Sequence, residues 1–391
     1  MKLAIIVSHP IQYNTPLFRL LTERDIIEIM VFYTWGEAVL ENKYDPGFGK
    51  VIHWDIPLLE GYPSQFLKNT STEPGSHHFN GIINPDSIQR IDEWQPDALL
   101  IYGWNFRSHL KLMRYYKGRI PVYFRGDSTL LDQQAGMKSL IRRIILKWVY
   151  RHVDKVFYVG ENNRNYFKEA GLKESGLILA PHVVDNEFFQ ANAGYYEQEA
   201  QRWRLSLGIG EDSIVFLFAG KLEKKKSPFL LLNAFNACSF PSGIHLIFVG
   251  NGEMEESLKS AAKIPNVHFI EFQNQKKMPV VYRLADVVVL PSGGPGETWG
   301  LAINEAMASG RPVIASTKCG GAVDLIRPGV NGYIFKSGSE SDLQEKMQAL
   351  SKGKGGIKEM GRQAMLYIRQ FSLSGVAREI ERTVTGASVN R

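Results

Sequence analysis

Cysteine is nearly missing from this chain: Cys238 and Cys319 are the only two among 391 residues. Two are too few for a disulfide framework, and their positions do not form a paired metal-thiolate spacing. Nor is there an apolar run near the ~20 residues that span a bilayer. The opening segment, Met1 to Pro10, has a single lysine and a short apolar run closed by proline, which predicts a buried strand rather than a signal peptide. A strong excess of one charge is lacking too. Lys and Arg number 46 against 40 Asp and Glu, and the formal +6 is too dilute over this length to mark a nucleic-acid binder. That balance suits a protein that meets anionic ligands or an anionic membrane surface. The expectation is a cytoplasmic chain, soluble or peripherally attached. With 44% hydrophobic residues it can bury one large core or two ordinary ones, and its length favours two.

Short β-branched apolar runs alternate with longer amphipathic ones, the rhythm of a parallel sheet with crossover helices. Strands are predicted at 3–8, 27–33, 98–103, 122–125, 155–159 and 177–180, with helical patterns notably at 15–23 and 137–152. From Asn186 to Glu211 the sequence turns polar, with Tyr-rich turns and no clear strand. The same grammar then returns, with strands at 214–219, 245–249, 267–270, 287–290 and 312–315. Two doubly wound α/β domains follow, predicted at residues 1–187 and 188–370, with a C-terminal helix in 371–391 returning to the first. In such sheets ligands sit beyond the carboxyl ends of the strands, so the loops after strands carry the functional signal.

The most informative loop runs from Leu290 to Ser316. A strand ends at Leu290, a Gly- and Pro-rich stretch follows, and a helix is predicted from about Gly300 until Gly310 and Pro312 stop it. Backbone N–H groups of Thr298, Trp299, Gly300 and Leu301 at that helix start suit an anion, and a diphosphate is the natural guest. Glu297 stands at the mouth of the loop, where an acceptor-only carboxylate can hold sugar hydroxyls; Glu305, one to two turns into the helix, can take both hydroxyls of a ribose. The alternative is a Gly-rich turn with a capping Glu297 and a solvated Glu305, but glycine and proline this dense need a reason.

Glu297 and Glu305, seven residues apart and followed by Ala-Met-Ala-Ser-Gly-Arg-Pro-Val-Ile-Ala, resemble the E-x7-E signature of glycosyltransferase family 4, a retaining family. The likeness covers the whole second half. Phe218 to Pro228 resembles the phosphate-binding segment, with Gly220, Lys221 in place of the usual Arg, and Lys226 matching the Lys. Two cations past a strand end would neutralise a leaving nucleoside diphosphate, although Lys221 offers a point charge instead of a fork. Phe248 to Glu253 resembles the Gly-x-Gly turn beside the nucleotide, through Gly250 and Gly252. Val267 to Gln273 resembles the strand whose following backbone, Phe272 and Gln273, meets the base, with Glu271 replacing the usual Gly. The turns at Cys319 to Asp324 and Gly329 to Tyr333 resemble closing turns of the donor domain, structural rather than catalytic.

The resemblance implies a GT-B fold, two Rossmann-like domains facing a central cleft. It also implies transfer of a hexose-type sugar from a nucleotide-sugar donor to a sugar or lipid-linked saccharide acceptor, as in cell-surface polysaccharide or glycolipid synthesis. No Asp-x-Asp occurs, so neither a metal nor any other cofactor is expected. Charge on the departing diphosphate then falls to Lys221, Lys226 and the helix start.

The first half resembles the family less closely. Its first loop, Ser8 to Asn14, lacks the family's Gly-Gly pair, and His9, Gln12, Tyr13 and Asn14 are assigned to the acceptor side, a lone His9 being equally consistent with a structural role. Arg125 and Trp104, after later strands, join that assignment. Asp127 occupies the place of a family His and is a candidate to hold a donor or acceptor hydroxyl; the competing reading is an Arg125–Asp127 ion pair that braces the turn. Pro181 to Phe189 resembles the interdomain segment, with His182 in place of Asn. A nicotinamide oxidoreductase is excluded by the gly-free first loop. A nucleotide-sugar epimerase or a non-catalytic nucleotide-sugar binding protein shares the layout.

One segment bears on location. Lys138, Arg142, Arg143, Lys147 and Arg151 alternate with Leu140, Ile141, Ile144, Ile145, Trp148 and Val149 at helical spacing. A crossover helix with its stripe buried on the sheet is the expectation, its basic face left to meet anionic headgroups.

Overall fold

The computed structural model describes residues 1–37, 44–45, 50–51, 54–134, 136–262 and 264–386. Among these residues fifteen strands form two parallel sheets and one short antiparallel pair. In chain order they are β1 (Lys2–Val7), β2 (Glu28–Tyr33), β3 (Tyr44–Asp45), β4 (Lys50–Val51), β5 (Ser64–Phe66), β6 (Ala98–Tyr102), β7 (Val122–Arg125), β8 (Lys155–Tyr158), β9 (Leu177–Leu179), β10 (Ile214–Ala219), β11 (Ile244–Val249), β12 (Val267–Ile270), β13 (Val287–Leu290), β14 (Val313–Ser316) and β15 (Gly332–Phe335). The first sheet has the order β5-β2-β1-β6-β7-β8-β9 and the second β12-β11-β10-β13-β14-β15, while β3 and β4 pair antiparallel.

The chain divides into two compact units. One comprises 1–43, 56–182 and 373–391, and the other 44–55 and 183–372. The first therefore ends near His182, and residues 44–55 count with the second. The segment from Leu373 belongs to the first unit, where the helix Leu373–Thr385 buries Val376, Ala377 and Ile380. Residues 387–391 of the helix expected at 371–391 lie outside the described residues. Buried Glu381 receives Arg24 Nε at 2.7 Å and Nη2 at 2.9 Å, and Tyr123 Oη donates to the Thr383 carbonyl at 3.2 Å.

Continuous apolar runs form the strands because helices cover both faces of a parallel sheet, leaving no wet face to alternate toward. Leu3 to Val7 and Ile214 to Phe218 are all buried. In the second unit Phe216, Phe218, Phe248 and Val289 share one core with Leu231, Leu232 and Phe235 of the helix Pro228–Ala237.

Two expectations are corrected. Asn186 to Glu211 is not a run of turns: it forms the helices Asn186–Gln190 and Ala193–Ser206, the first capped by Asp185, whose carboxylate accepts from Phe188 N at 3.1 Å. The second helix has few apolar positions and is fastened by ion pairs, Arg204 to Asp286 at 3.1 Å and Glu197 to Arg311 at 2.8 Å, which hydrophobic periodicity cannot reveal. The helix Met137–Tyr150 does not bury its main apolar stripe; only Leu146, Val149 and Tyr150 are buried, and Leu140, Ile141, Ile144, Ile145 and Trp148 are exposed.

Candidate functional site

In the second sheet the strand order reverses beside β10, which pairs with β11 on one side and β13 on the other. A crevice outside the carboxyl ends of such neighbouring strands is the usual ligand position in open α/β sheets. The loop after β10 carries Gly220, half-buried Lys221 and Lys226; the loop after β13 carries Ser292 and Glu297. Lys226 Nζ donates to Glu297 Oε2, and the Ser292 hydroxyl donates to the same oxygen at 2.9 Å. Both ion-pair partners are largely shielded, with side-chain exposures of 21% and 13%. The two expected charges thus meet at the switch point, and Ser292 is a third member that the sequence reading did not single out.

Close backbone approach builds this corner. Gly250 has φ +137°, and a Cβ there would lie 2.0 Å from the Gly220 carbonyl oxygen; at Gly252 it would lie 2.5 Å from that of Leu222. Leu222 N donates to Asn251 O at 3.0 Å, and Met254 N to Leu222 O at 3.0 Å, so the loops after β10 and β11 lock together only without side chains between them. The structural duty of Gly250 and Gly252 is therefore to let the loop after β11 lie on the loop after β10. Asn251 extends the lock by accepting from Phe272 N at 3.0 Å, while the Gln273 amide donates to Glu271 O at 3.1 Å.

The helix after the β13 loop is Leu301–Ala308, entered through Gly300 at φ +94°. In its first turn Ile303 N donates to the Gly300 carbonyl at 2.9 Å, while the N–H groups of Leu301 and Ala302 precede any intrahelical acceptor. Trp299 is buried, donates its indole N–H to Asn304 Oδ1 at 2.8 Å and packs on Gly321, so its side chain is a support for the turn carrying Thr298. Glu305 faces inward at 4% exposure. Its Oε2 accepts from Tyr282 Oη at 2.6 Å and its Oε1 from Gln275 Nε2 at 3.4 Å. The solvated alternative for Glu305 is thereby excluded. Neither Tyr282 nor Gln275 was legible beforehand, since both come from a different segment, 275–283, with no motif of its own. Cys319, beneath the same loop, has its thiol pushed up to about 12 by burial and then by the Glu297 charge, which leaves it an inert packing group.

In the first unit the loops after β1, β6 and β7 emerge from adjacent strands of one sheet. His9, Gln12, Tyr13 and Asn14 are all partly exposed; His9 Nδ1 lies 2.9 Å from Ser8 Oγ, and its ring meets Trp35 edge-on at 5.1 Å. Asp127 is partly exposed, with Oδ2 3.7 Å from His182 Nε2. Burial, foremost, and the neighbouring Arg125 charge hold the His182 pKa below its ordinary value against the opposing effect of Asp127. Arg125, assigned to the acceptor side, is buried, and its guanidinium donates to the carbonyls of Ala180 at 2.6 Å and Pro181 at 3.0 Å. It braces the end of β9, because a buried guanidinium needs acceptors and the strand-end carbonyls supply them. Trp104 likewise packs partly buried against the first unit's core.

Residues 199–366 match the family model of glycosyl transferases group 1. The chain is similar to the D-inositol 3-phosphate glycosyltransferase of Corynebacterium kroppenstedtii, at 28% identity over 71% of this chain and 63% of that protein. It is also similar to the lipopolysaccharide 1,2-N-acetylglucosaminetransferase of Salmonella typhimurium, at 31% identity over 45% of this chain and 48% of that one, so it spans less than two thirds of the length of either. Among solved structures the Anabaena protein HepE, in complex with UDP and glucose, superposes with a TM-score of 0.71 at 18% identity, covering 99% of this chain and all of that one. The fold is accordingly GT-B, two Rossmann-like domains, and residues 199–366 are the part of the chain that resembles glycosyl transferases group 1.

Proposed function

We propose that this protein is a retaining glycosyltransferase that moves a hexose-type sugar from a nucleoside-diphosphate donor to an acceptor hydroxyl, without metal, in cell-surface polysaccharide or glycolipid synthesis. The observation that carries the reading is the Lys226–Glu297–Ser292 cluster at the β10/β13 switch point, beside the start of the helix Leu301–Ala308. In this arrangement the Lys226 ammonium is held by a carboxylate at the place where a diphosphate would arrive. An entering phosphate exchanges with Glu297 for that ammonium, and the freed carboxylate is left to accept from sugar hydroxyls. Glu305 keeps spare lone pairs beyond those used by Tyr282 and Gln275, enough to take ribose hydroxyls.

As the anomeric carbon leaves the diphosphate, its bond to the phosphate oxygen breaks and a bond to the acceptor oxygen forms on the same face. The acceptor proton passes to the departing phosphate, whose charge Lys221, Lys226 and the helix start stabilise. His9, Gln12, Tyr13, Asn14 and Asp127 of the first unit are the acceptor-side groups in this reading. The relatives' names, an inositol phosphate and a lipopolysaccharide transferase, support an acceptor that is a phosphorylated polyol or a lipid-linked saccharide.

The test is a thermal-shift screen of nucleoside diphosphates and their sugars, followed by product detection with the best donor. Turnover that survives EDTA is expected, and Lys226→Ala is expected to lower kcat about a hundredfold with little change in donor KM. Stabilisation by nucleotide sugars with no product from any acceptor class would favour a non-catalytic binding protein. Loss of turnover in EDTA, restored by manganese or magnesium, would overturn the metal-free mechanism.

A further inference from the structure

The helix Met137–Tyr150 is apolar on two opposite sides. At about 100° per residue, buried Leu146, Val149 and Tyr150 point one way, and an arc of about 140° centred opposite them is also apolar. That outer arc consists of Met137 (79% exposed), Leu140 (59%), Ile141 (52%), Ile144 (62%), Ile145 (46%) and Trp148 (39%). Isolated exposed apolar residues are ordinary, but six contiguous large ones on one helix face mark an interaction surface. Its margins are cationic, Lys138 on one side and Lys147 on the other, and Arg151 follows at the C-terminal end of the helix; none has an ion-pair partner among the described residues. Arg114 adds a guanidinium 5.6 Å from the Trp148 ring. No acidic residue occurs from Met137 to Val153.

We propose that this face is an interfacial membrane anchor, lying in the plane of an anionic bilayer with its isoleucines, Leu140 and Trp148 among the upper acyl chains and its rim cations at the lipid phosphates. Charge complementarity selects the occupant. A second copy in a twofold contact would set this patch against itself, cationic rim on cationic rim, whereas anionic headgroups match the rim and acyl chains match the centre. Among the described residues no helix is long and apolar enough to cross a membrane, so the geometry is one of lying on the surface.

The structure also revises which cations serve. Arg143 is paired with Glu169 at 3.0 Å, and Arg142 lies 5.9 Å from the Tyr166 ring, so both are directed toward the helix Glu161–Glu169 and away from the apolar arc. The inference does not rest on the donor-site reading.

The full-length protein is mixed with phosphatidylcholine vesicles with and without phosphatidylglycerol, over a salt series, and the bound fraction is read by co-sedimentation. Binding only to the phosphatidylglycerol vesicles, weakening with salt, is expected. Ile141→Gln, Ile144→Gln and Trp148→Gln together keep every charge and are expected to lower partitioning tenfold or more. Lys138→Gln, Lys147→Gln and Arg151→Gln together should flatten the salt dependence, and Arg142→Gln with Arg143→Gln should change little. Nucleoside-diphosphate thermal shifts, measured on each variant, report folding and the donor site separately. Wild type that ignores anionic vesicles at low salt, an apolar triple variant that binds like wild type, or a wild-type dimer that the triple variant dissociates would each overturn the proposal.

Discussion

At Glu305 a single carboxylate is fixed from two directions, by Tyr282 at 2.6 Å and by Gln275 at 3.4 Å. If it binds the donor ribose, Glu305→Gln removes a charged acceptor and raises donor KM about tenfold or more, while Tyr282→Phe loosens only its orientation and raises KM less, with kcat little changed in both. Steady-state kinetics at saturating acceptor reads the split; equal loss of kcat in both would place Glu305 in the chemistry instead. Another residue sets a pH limit. His109 is buried, with Nδ1 2.9 Å from the Gly103 carbonyl and Nε2 2.9 Å from Thr34 Oγ1. Burial pushes its pKa down from 6.5 to about 4. Between those values the unfolded chain binds a proton that the folded chain refuses, so stability is full above about pH 6.5 and is lost as pH falls toward 4. The site alone accounts for about 3 kcal/mol across that window. Urea midpoints measured from pH 7 to 4.5 should fall, and His109→Gln should flatten the slope. The residue scale is also where sequence reading reached least far. Glu297 and Glu305 announce themselves by spacing, whereas Tyr282, Gln275 and Ser292 gain their roles from where the chain returns, and Arg125 loses its assigned one because burial decides what a guanidinium bonds.

Elements were more legible, for a physical reason. Strands buried on both faces are unbroken apolar runs, and each long one predicted from the sequence is present within a residue or so. The short edge strand β5, Ser64–Phe66, has too little apolar sequence to be seen, and β15, which begins at Gly332, overlaps the segment Gly329 to Tyr333 that reads as a turn. The helix Ala193–Ser206 was missed because ion pairs, not an apolar stripe, hold it. At Met137–Tyr150 the stripe was seen and its direction was wrong: periodicity tells that a face is apolar, not what covers it. The locked loops after β10 and β11 give a test at this scale. Gly250→Ala places a methyl 2.0 Å from the Gly220 oxygen at a φ of +137°, which must part the two loops. A loss of about 2 kcal/mol or more is expected, together with weaker nucleoside-diphosphate binding. Gly353, whose Cβ meets nothing within 4 Å and which precedes the helix Lys354–Ile368, serves as the control site.

For the molecule as a whole, the fold and the resemblance to glycosyl transferases group 1 were legible from one loop and a repeated rhythm, while the course of the chain was only half visible. The second unit is largely interposed within the first: residues 1–43, 56–182 and 373–391 build one body, and the long stretch 183–372, joined by 44–55, builds the other. Arg24 and Tyr123, placed early, complete their bonding with Glu381 and Thr383, near the end. On the ribosome this reverses the order in which the two bodies mature. The body begun first must wait for the helix Leu373–Thr385 to emerge before Glu381 can meet Arg24, while the body begun second can close once residue 372 has cleared the exit tunnel. Nascent chains arrested with residue 372 just exposed should therefore yield a protease-resistant fragment from the later half while the earlier half is still cut, and resistance of the earlier half should appear only once the helix Leu373–Thr385 is exposed. Resistance of the earlier half before then would show that it matures without its closing helix.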